Sequence, residues 1–312
     1  MPSKNHIDRS IKTVSGLVHK TLVLTCSALN AMTGAQLYFK CENFQKMGAF
    51  KMRGAIHAIQ NLSEQQKASG VVTHSSGNFG QAVALAAKNL GVTAYVVMPE
   101  NAPSVKKEAV KGYGAIVTEC ESTLEAREKT SEKIQQETGA SFLHPSNNLD
   151  VILGNATAGV ELLEKHPDLD YLLVPVGGGG LIAGTVLAAK YFGHNCKVIG
   201  GEPFAVDDAY RALQSGKIEL NESTNTVADG LRTHLGDKNF PIIQELVSEI
   251  IRVEEEEIVA AMKHIWQRMK IIIEPSSAVP FAAVLREKEK FRDKKVGIIL
   301  SGGNVDVTKL PF

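Results

Sequence analysis

The sequence predicts an α/β protein made of two domains with open, twisted, parallel sheets. Short apolar runs alternate with helical patterns through residues 70–145, and a second series of the same kind occupies residues 171–306. Glycine-rich turns follow several of these runs. Short apolar strands separated by helices are typical of parallel sheets that are covered on both faces. We therefore predict a small α/β domain at 66–148 and a large, discontinuous domain formed by 1–65 and 149–312.

Both series divide into individual elements. In the first, the pattern predicts strands at 70–76, 93–99, 115–120 and 141–145, separated by helices at 78–91, 102–114 and 122–139. In the second, it predicts a strand and turn at 171–180, a helix at 181–193, a strand at 197–203, and a strand and turn at 295–306. The segment before residue 66 is expected to pack with this second series. The charge run "VEEEEI" at 253–258 predicts a solvated helix start, because carboxylates there favour the helix dipole.

The overall composition excludes several classes of function. The chain has 34 Lys+Arg and 34 Asp+Glu, so its formal net charge is zero and nothing indicates a nucleic-acid-binding surface. No run reaches the roughly 18 apolar residues of a membrane-spanning helix, and the polar start of the chain has no apolar signal core. Four scattered cysteines form no CxxC pair, which predicts free thiols in a reducing cytoplasm.

The strongest local pattern is a run of four glycines after an apolar strand. Gly177–Gly180 follow "VPV" and precede the helix predicted at 181–193. Glycines allow successive backbone N–H groups to converge on one anion, and the start of a helix adds partial positive charge. The spacing matches neither a P-loop nor GxGxxG. The run therefore predicts a phosphate site, with a flexible tight turn as the competing interpretation.

Two further turns carry polar side chains at the ends of predicted strands. Ser75, Ser76 and Asn78 could cap the following helix or bind a carboxylate. The segment "LSGGNVD" at 300–306 is equally consistent with a plain turn and with part of a site. Both turns lie at the carboxyl ends of strands, which is where α/β sheets bind ligands.

An acidic segment follows the strand predicted at 197–203. Glu202, Asp207 and Asp208 lie close together in "GGEPFAVDDAY". Carboxylate oxygens at this density could bind Mg²⁺ or Ca²⁺. A solvated acidic loop is an equally good interpretation of the sequence alone.

One lysine lies in an unusual context, between Phe50 and Met52. Lysines commonly cover an apolar surface and keep the amine in water, and buried lysines are rare. The second interpretation of Lys51 is an amine in an apolar pocket, where a lowered pKa makes it reactive. A reactive lysine, a phosphate site and a carboxylate site together indicate pyridoxal phosphate, which needs a Schiff-base lysine and acts on amino acids.

Six segments, in order, resemble the fold-type II pyridoxal-phosphate enzymes, most closely the serine racemase and serine/threonine dehydratase family. They cover essentially the whole chain and read "GAFKMRGA", "SSGNFGQA", "VPVGGGGLIAG", "TVADG", "IIIEPSSA" and "LSGGNVD". The resemblance implies a tryptophan synthase β-like fold, pyridoxal 5′-phosphate as cofactor and a homodimer. It also implies serine racemisation together with dehydration of L-serine and L-threonine.

The resemblance further implies roles for individual residues. Lys51 would form the Schiff base and remove the substrate α-proton, and Ser76 would act as acid and base on the opposite face. Further cofactor contacts would be Phe50, Asn78, Gly177, Gly178, Gly179, Gly180 and Ser301; further substrate contacts would be Ser75, Asn78 and Arg127. Ser301 would place a neutral hydroxyl opposite the pyridine nitrogen, which favours prompt loss of water or reprotonation.

The resemblance implies a divalent cation as well, and it is compatible with more than one activity. Glu202, Asp208 and the backbone carbonyl of Val206 would bind Mg²⁺, or else Ca²⁺ or Mn²⁺. Phe79 stands where the family often has histidine, which disfavours a 3-hydroxyaspartate dehydratase. "GNAT" at 154–157 stands where the family commonly shows a glycine-rich "GQGT" turn. The sequence is also compatible with a catabolic threonine dehydratase without racemase activity, a β-replacing synthase or a non-catalytic amino-acid-binding module.

Overall fold

The computed structural model describes residues 1–102 and 104–312. The strands are β1 (Val23–Leu24), β2 (Gln36–Cys41), β3 (Val71–His74), β4 (Ala94–Pro99), β5 (Ile116–Cys120), β6 (Ser141–Phe142), β7 (Tyr171–Pro175), β8 (Lys197–Pro203), β9 (Glu249–Val253) and β10 (Lys295–Leu300). The helices are α1 (Lys4–Val14), α2 (Ser27–Thr33), α3 (Lys51–Gln60), α4 (Glu64–Ser69), α5 (Asn78–Leu90), α6 (Ser104–Gly112), α7 (Leu124–Thr138), α8 (Leu149–Lys165), α9 (Gly180–Phe192), α10 (Asp208–Ser215), α11 (Phe240–Leu246), α12 (Glu255–Met269), α13 (Pro275–Arg286) and α14 (Lys288–Phe291).

The strands form two separate sheets. The larger sheet has the spatial order β1-β2-β10-β7-β8-β9, and the smaller sheet has the order β5-β4-β3-β6. β1 runs antiparallel to β2, and the other neighbours in both sheets are parallel. In the centre of the larger sheet, Val296 of β10 is paired with Leu37 on one side and with Tyr171 on the other. Both sheets therefore gather the carboxyl ends of their strands along one edge.

Alternating side chains of the central strands enter different apolar clusters. Leu172 and Val174 of β7 pack with residues of α8 and α9, whereas Leu173 packs with residues of α12 and α13. Successive strand residues point to opposite faces, so helices cover both faces of the larger sheet. In the smaller sheet, Val71 packs with α3 and α5, and Val72 packs with Ile134 of α7.

The predicted α/β fold with parallel sheets is confirmed. β4, β5 and β8 agree with the predicted strands to within one residue, while β6 is shorter than predicted. The strands of the smaller sheet all lie within 66–148, but the domain limits themselves stay a prediction, because α3 packs against α5. Over the described ranges, no helix combines the length and apolarity needed to cross a membrane.

The segment "GNAT" lies inside α8, so the expectation of a turn at 154–157 is wrong. Its glycine has a packing role. A Cβ at Gly154 would lie 2.5 Å from the Arg53 carbonyl oxygen, and a Cβ at Gly54 would lie 2.6 Å from Asn155 Oδ1. The paired glycines let the backbones of α3 and α8 approach closely, which fixes the helix that begins at Lys51.

The first turn of α3 is held by a cluster of four charged side chains, Lys40, Glu42, Arg53 and Glu161. Arg53 donates from Nε to Glu42 Oε2 at 2.7 Å and from Nη1 to Glu161 Oε1 at 2.7 Å. Lys40 donates to Glu161 Oε2 at 2.5 Å, and Thr21 donates to Glu42 Oε1 at 2.5 Å. Arg53 and Glu42 are fully buried. The charges balance, and these contacts give Arg53 a structural role.

We expect Arg53→Met to lower the free energy of unfolding by about 3–5 kcal/mol, because it leaves Glu42 buried and without its guanidinium partner. Urea unfolding followed by circular dichroism would measure the loss. Arg292→Met is the matched control, since the Arg292–Glu289 pair is exposed and such pairs contribute little. Equal midpoints for the two variants would contradict the structural role of the cluster.

Candidate active site

Lys51 lies where the two sheets meet. Just before it, the Phe50 N–H donates to the Ser301 carbonyl oxygen at 3.0 Å, which ties the start of α3 to the end of β10. The Lys51 amine donates to the Pro145 carbonyl oxygen at 2.7 Å, in the segment after β6. The amine is thus held between the carboxyl ends of both sheets, the usual location of ligand sites in α/β folds.

The surroundings of the Lys51 amine favour its neutral form. Its Nζ lies 5.0 Å from the ring centroid of Phe50 and 5.5 Å from that of Phe79, and both rings are buried. Burial lowers the pKa of Lys51 to about 8, and the Glu274 carboxylate partly opposes this shift. The direction is the one expected from the apolar neighbours in the sequence. A substantial fraction of the amine is therefore neutral near pH 8.

The four glycines form a loop between β7 and α9 that is held by hydrogen bonds and close packing. Gly179 has a φ of +77°, a conformation that favours glycine, and a Cβ there would lie 2.6 Å from Leu235 Cδ2. Asn239 Nδ2 donates to the Gly178 carbonyl oxygen at 2.8 Å and to the Ser146 carbonyl oxygen at 3.2 Å. These contacts hold the loop at the start of α9, where backbone N–H groups and the helix dipole suit a phosphate.

The turn after β3 brings the next group of predicted residues to the same region. The Ser75 N–H donates to the Val97 carbonyl oxygen at 3.1 Å, and the Gly77 N–H donates to Ser75 Oγ at 3.3 Å. Asn78 is the first residue of α5, and Ser76 is partly buried in the turn before it. This arrangement is consistent with a helix N-terminus that receives a carboxylate.

Ser301 follows β10 and is buried. Its Oγ lies 3.0 Å from Ser277 Oγ, and Ser277 Oγ also donates to the Gly302 carbonyl oxygen at 2.7 Å. The hydroxyl of Ser301 is therefore held in one place by a neighbour on α13. Ser277 lies in the segment "IIIEPSSA", but the sequence alone assigned it no role.

Arg127 lies on α7, on the side of the smaller sheet. Its Nε donates to the Thr123 carbonyl oxygen at 3.3 Å, and its charge helps to lower the pKa of His74. Burial is the larger cause, and it lowers the pKa values of His74 and His144 to about 4. Arg127 is thus close to the residue that precedes Ser75, and its contact with a substrate stays a prediction.

Several residues of this region carry no role in the sequence interpretation. His144 Nδ1 accepts from the Asn147 N–H at 2.8 Å, and His144 is close enough to Lys51 for the lysine charge to affect its pKa. Asn78 Nδ2 lies 3.0 Å from both carboxylate oxygens of Glu274. Glu274 is the one charged residue of "IIIEPSSA", and a charge in a buried apolar segment was the pattern that could have identified it.

The acidic segment forms a second, buried cluster. Glu202 and Asp208 are fully buried, so the interpretation as a solvated acidic loop is wrong for these two residues. Glu202 accepts the N–H groups of Ala209 and Tyr210 at 3.1 and 2.8 Å, and Asp208 Oδ2 accepts the Leu235 N–H at 3.1 Å. Burial raises the pKa of Glu202 well above its usual value, with a further contribution from Asp208, whose own pKa is raised to about 6.

The neighbouring Asp207 is different, because it is paired with cations. It accepts from Arg211 Nε and from Arg252 Nη1, each at 2.8 Å. Among the residues that the structure describes, no three His, Cys, Asp or Glu side chains cluster as a metal centre. A cation between Glu202 and Asp208 would therefore need further ligands from backbone carbonyls or water.

A comparison with protein families identifies the cofactor class of the chain. Residues 14–302 match the family described as pyridoxal-phosphate dependent enzyme. The chain belongs to this family. The buried lysine and the pinned glycine loop fit its cofactor, because one supplies an amine for the aldehyde and the other supplies N–H donors for the phosphate.

Known relatives of the family are similar over nearly their whole length. The chain is 51% identical to a serine racemase of Dictyostelium discoideum, with 97% of this chain and 95% of the relative covered. It is 47% identical to a beta-hydroxyaspartate dehydratase of Paracoccus denitrificans, with 95% and 94% covered. A solved structure of maize serine racemase superposes with a TM-score of 0.95 at 44% identity, covering 97% of this chain and 94% of that one. The predicted fold-type II family is confirmed.

Proposed function

We propose that this protein is a pyridoxal-phosphate-dependent serine racemase that also removes water from L-serine and L-threonine. The observation that carries the proposal is the position of Lys51. Its amine lies between the two sheets with a pKa of about 8, beside Phe50 and Phe79. Similarity to the Dictyostelium and maize serine racemases supports the choice of serine.

The proposed roles follow from the geometry of the site. When bound, pyridoxal phosphate withdraws electrons from the α-carbon of an attached amino acid and makes its α-proton acidic. The Gly177–Gly180 loop would hold the phosphate, Asn78 would donate to the phenolic oxygen and Ser301 would face the pyridine nitrogen, while Phe50 would pack beside the ring. Lys51 would remove the α-proton from one face. Ser75, Ser76 and Arg127 would bind the substrate.

Two outcomes follow from removal of the α-proton. Return of a proton from the opposite face by Ser76 would give D-serine. Loss of the β-hydroxyl as water would give an enamine that a water molecule hydrolyses to pyruvate and ammonia, or to 2-oxobutyrate and ammonia when the substrate is L-threonine. Incubating the cofactor-loaded protein with L-serine and measuring D-serine and pyruvate together tests the proposal. We expect both products, and the absence of both would contradict it.

A second candidate is a 3-hydroxyaspartate dehydratase. The 47% identity to a beta-hydroxyaspartate dehydratase favours it. Against it, Phe79 is buried beside the Lys51 amine and offers no polar group to a second substrate carboxylate. The ratio of kcat/KM for L-serine and L-threo-3-hydroxyaspartate distinguishes the two, and a ratio well below one would favour the dehydratase.

We further propose that Glu202, Asp208 and the Val206 carbonyl bind a divalent cation, Mg²⁺ or else Ca²⁺ or Mn²⁺. Two buried carboxylates with raised pKa values repel each other, and a cation would offset that repulsion. Asp208 also accepts the Leu235 N–H, and Leu235 packs against Gly179. A bound cation would therefore stabilise the segment that supports the glycine loop.

Chelation should lower the melting temperature of the wild-type protein by several degrees, about the effect of removing a ligand present at 100 times its Kd. Asp208→Asn should abolish this response, because one carboxylate ligand is lost. Asp207→Asn is the control, since Asp207 is paired with Arg211 and Arg252, and it should keep the response. A melting temperature unaffected by chelator in the wild type would remove the cation from the proposal.

We also propose a cytoplasmic homodimer that acts on small amino acids and binds neither nucleic acid nor membrane. The four cysteines are free thiols, consistent with a reducing compartment. Light scattering of the purified protein would test the dimer, and a single species at 33.6 kDa would contradict it.

A further inference from the structure

Asn78 belongs to a hydrogen-bond chain whose direction is fixed at both ends. At one end, Asn304 Nδ2 donates to the Met47 carbonyl oxygen at 2.8 Å and to Asn78 Oδ1 at 2.8 Å. At the other end, Asn78 Nδ2 donates to Glu274, whose two oxygens both lie at 3.0 Å. A backbone carbonyl and a carboxylate can only accept hydrogen bonds. The Asn304 nitrogen must therefore face the Met47 carbonyl and Asn78 Oδ1, and the Asn78 nitrogen must face Glu274.

The opposite orientation of the two amides is strongly disfavoured. If the Asn304 amide were reversed, its Oδ1 would face the Met47 carbonyl oxygen. If the Asn78 amide were reversed, its Oδ1 would face the Glu274 carboxylate. Each reversal would leave buried acceptors facing each other without a donor, which is unfavourable. Amide orientation is inferred from hydrogen-bond partners, and these partners admit one arrangement.

The backbone before Lys51 is shaped to support this chain. Met47 has a φ of +56°, a left-handed conformation that is uncommon for a residue with a side chain, and Gly48 follows with a φ of +77°. A Cβ at Gly48 would lie 2.6 Å from Asn304 Oδ1, so the amide packs directly against this glycine. Such a conformation at Met47 is strained and persists only where its surroundings maintain it.

The contact with Glu274 leaves one hydrogen of the Asn78 amide for another partner. The two carboxylate oxygens are too close together to receive separate hydrogens from a single nitrogen. One hydrogen is therefore shared between them, and the second points away from the carboxylate. Glu274 is 4% exposed, so water does not compete for its contact with Asn78.

We propose that Glu274 and Asn304 are positioning residues that hold the Asn78 amide with an N–H directed at the cofactor's phenolic oxygen, an inference that rests on the proposed function and on the role of Asn78 within it. Without them the amide could turn its oxygen to the phenolate, and two acceptors would then face each other.

The charge of Glu274 also acts on the reactive amine. Charged groups that affect or face Glu274 are Lys51, Asp229 and Lys106. Burial raises the pKa of Glu274 to about 7, the hydrogen bond from Asn78 opposes the shift, and Asp229 adds to it. Above that pH the carboxylate is ionised and raises the pKa of Lys51. Removing the charge should therefore let the lysine amine become neutral at a lower pH.

The first test is Asn304→Asp, which keeps the size of the side chain but removes both donated hydrogen bonds. Titration of the cofactor-free protein with pyridoxal phosphate, followed by absorbance, would give the equilibrium affinity. We expect the affinity for pyridoxal phosphate to fall about tenfold. This is the effect of losing one hydrogen bond to a charged group, here the bond from Asn78 to the phenolic oxygen. Asn43→Asp is the matched control, because Asn43 Nδ2 donates to the Ile272 carbonyl oxygen at 3.0 Å beside Gly303 but does not touch Asn78.

The second test is Glu274→Gln, which keeps an acceptor for Asn78 and removes the charge. The rate of cofactor capture depends on the neutral fraction of Lys51, so its half-maximal pH reports that amine. We expect this pH to move downward by roughly half a unit or more, as for the loss of a nearby opposite charge. The cofactor's own titration is common to both proteins, and only their difference is compared.

The outcomes distinguish a failure of the proposed function from a failure of the positioning role. A wild-type protein that develops no cofactor absorption band would contradict the proposed function itself. A wild type that binds the cofactor, with equal affinities for Asn304→Asp and Asn43→Asp, would overturn the positioning role of Asn304. If Asn304→Asp does not fold by circular dichroism, Asn304→Ala and Asn43→Ala replace the pair in the same titration, and equal affinities would overturn the positioning role of Asn304. An unshifted capture profile in Glu274→Gln would overturn the effect of the Glu274 charge on Lys51.

Discussion

Lys51→Ala should abolish formation of both D-serine and pyruvate from L-serine. The expected loss is about 10²–10⁴-fold or more, the range for removal of a positioned general base, because both products require the α-proton to be taken first. Lys51→Arg should be similarly inactive, since a guanidinium stays protonated and cannot act as base or nucleophile. Coupled assays for the two products, with the cofactor in excess, would measure the loss.

Lys46→Ala provides the matched control for a lysine in the same stretch of sequence. The Lys46 amine donates to the Leu17 carbonyl oxygen at 2.7 Å, and Leu17 has no role in the proposed active site. This variant should keep its activity within about threefold, because a partly exposed hydrogen bond contributes only about 1 kcal/mol. Loss of activity in Lys46→Ala equal to that in Lys51→Ala would assign the effect to the folding of this segment.

The pH dependence gives Lys51 a second signature. A base must be neutral, and burial places the pKa of this amine at about 8 instead of 10.5. Capture of cofactor by the cofactor-free protein should therefore accelerate as the pH rises through 8 and then level off. A rate that continues to increase up to the ordinary lysine range would show that the amine is exposed to water.

Local patterns in the sequence were sufficient to predict the fold class and to single out Lys51 and the glycine run as candidate site residues. Strand and helix periodicity in 70–145 depends on side chains a few residues apart, so it can be recognised from the sequence alone. The glycine run and Lys51 are equally local. By contrast, β2 and β9 were not predicted, because Lys40 and Arg252 interrupt their apolar pattern. The structure explains Lys40 by its buried pairing with Glu161.

The supporting contacts could not be predicted, because their partners are distant in the chain. Asn78 and Glu274 are separated by 196 residues, and Asn304 and Met47 by 257. Only the folded arrangement of both sheets brings them together. The same holds for the close approach of Gly154, in "GNAT", to Gly54 in another helix. Sequence patterns thus predicted Lys51 and the glycine loop as site residues, whereas the contacts around them depend on tertiary packing.

Ser76→Ala should separate racemisation from elimination. Formation of D-serine requires a proton on the face opposite Lys51, and Ser76 is the proposed donor, so its loss should reduce D-serine by about 10²–10⁴-fold. Elimination needs the α-proton removed from one face only, so pyruvate formation should continue. The ratio of D-serine to pyruvate at equal enzyme concentration is the quantity to measure.

Ser75→Ala supplies the comparison that makes this ratio interpretable. Ser75 lies in the same turn, where its Oγ accepts the Gly77 N–H at 3.3 Å, and its proposed contact is with the substrate carboxylate. Losing that contact should raise the KM for L-serine equally in both reactions and leave the ratio of the two products unchanged, because substrate binding precedes both branches. A D-serine to pyruvate ratio that falls only in Ser76→Ala would therefore identify a proton path. A ratio unchanged in both variants would mean that another group delivers the second proton.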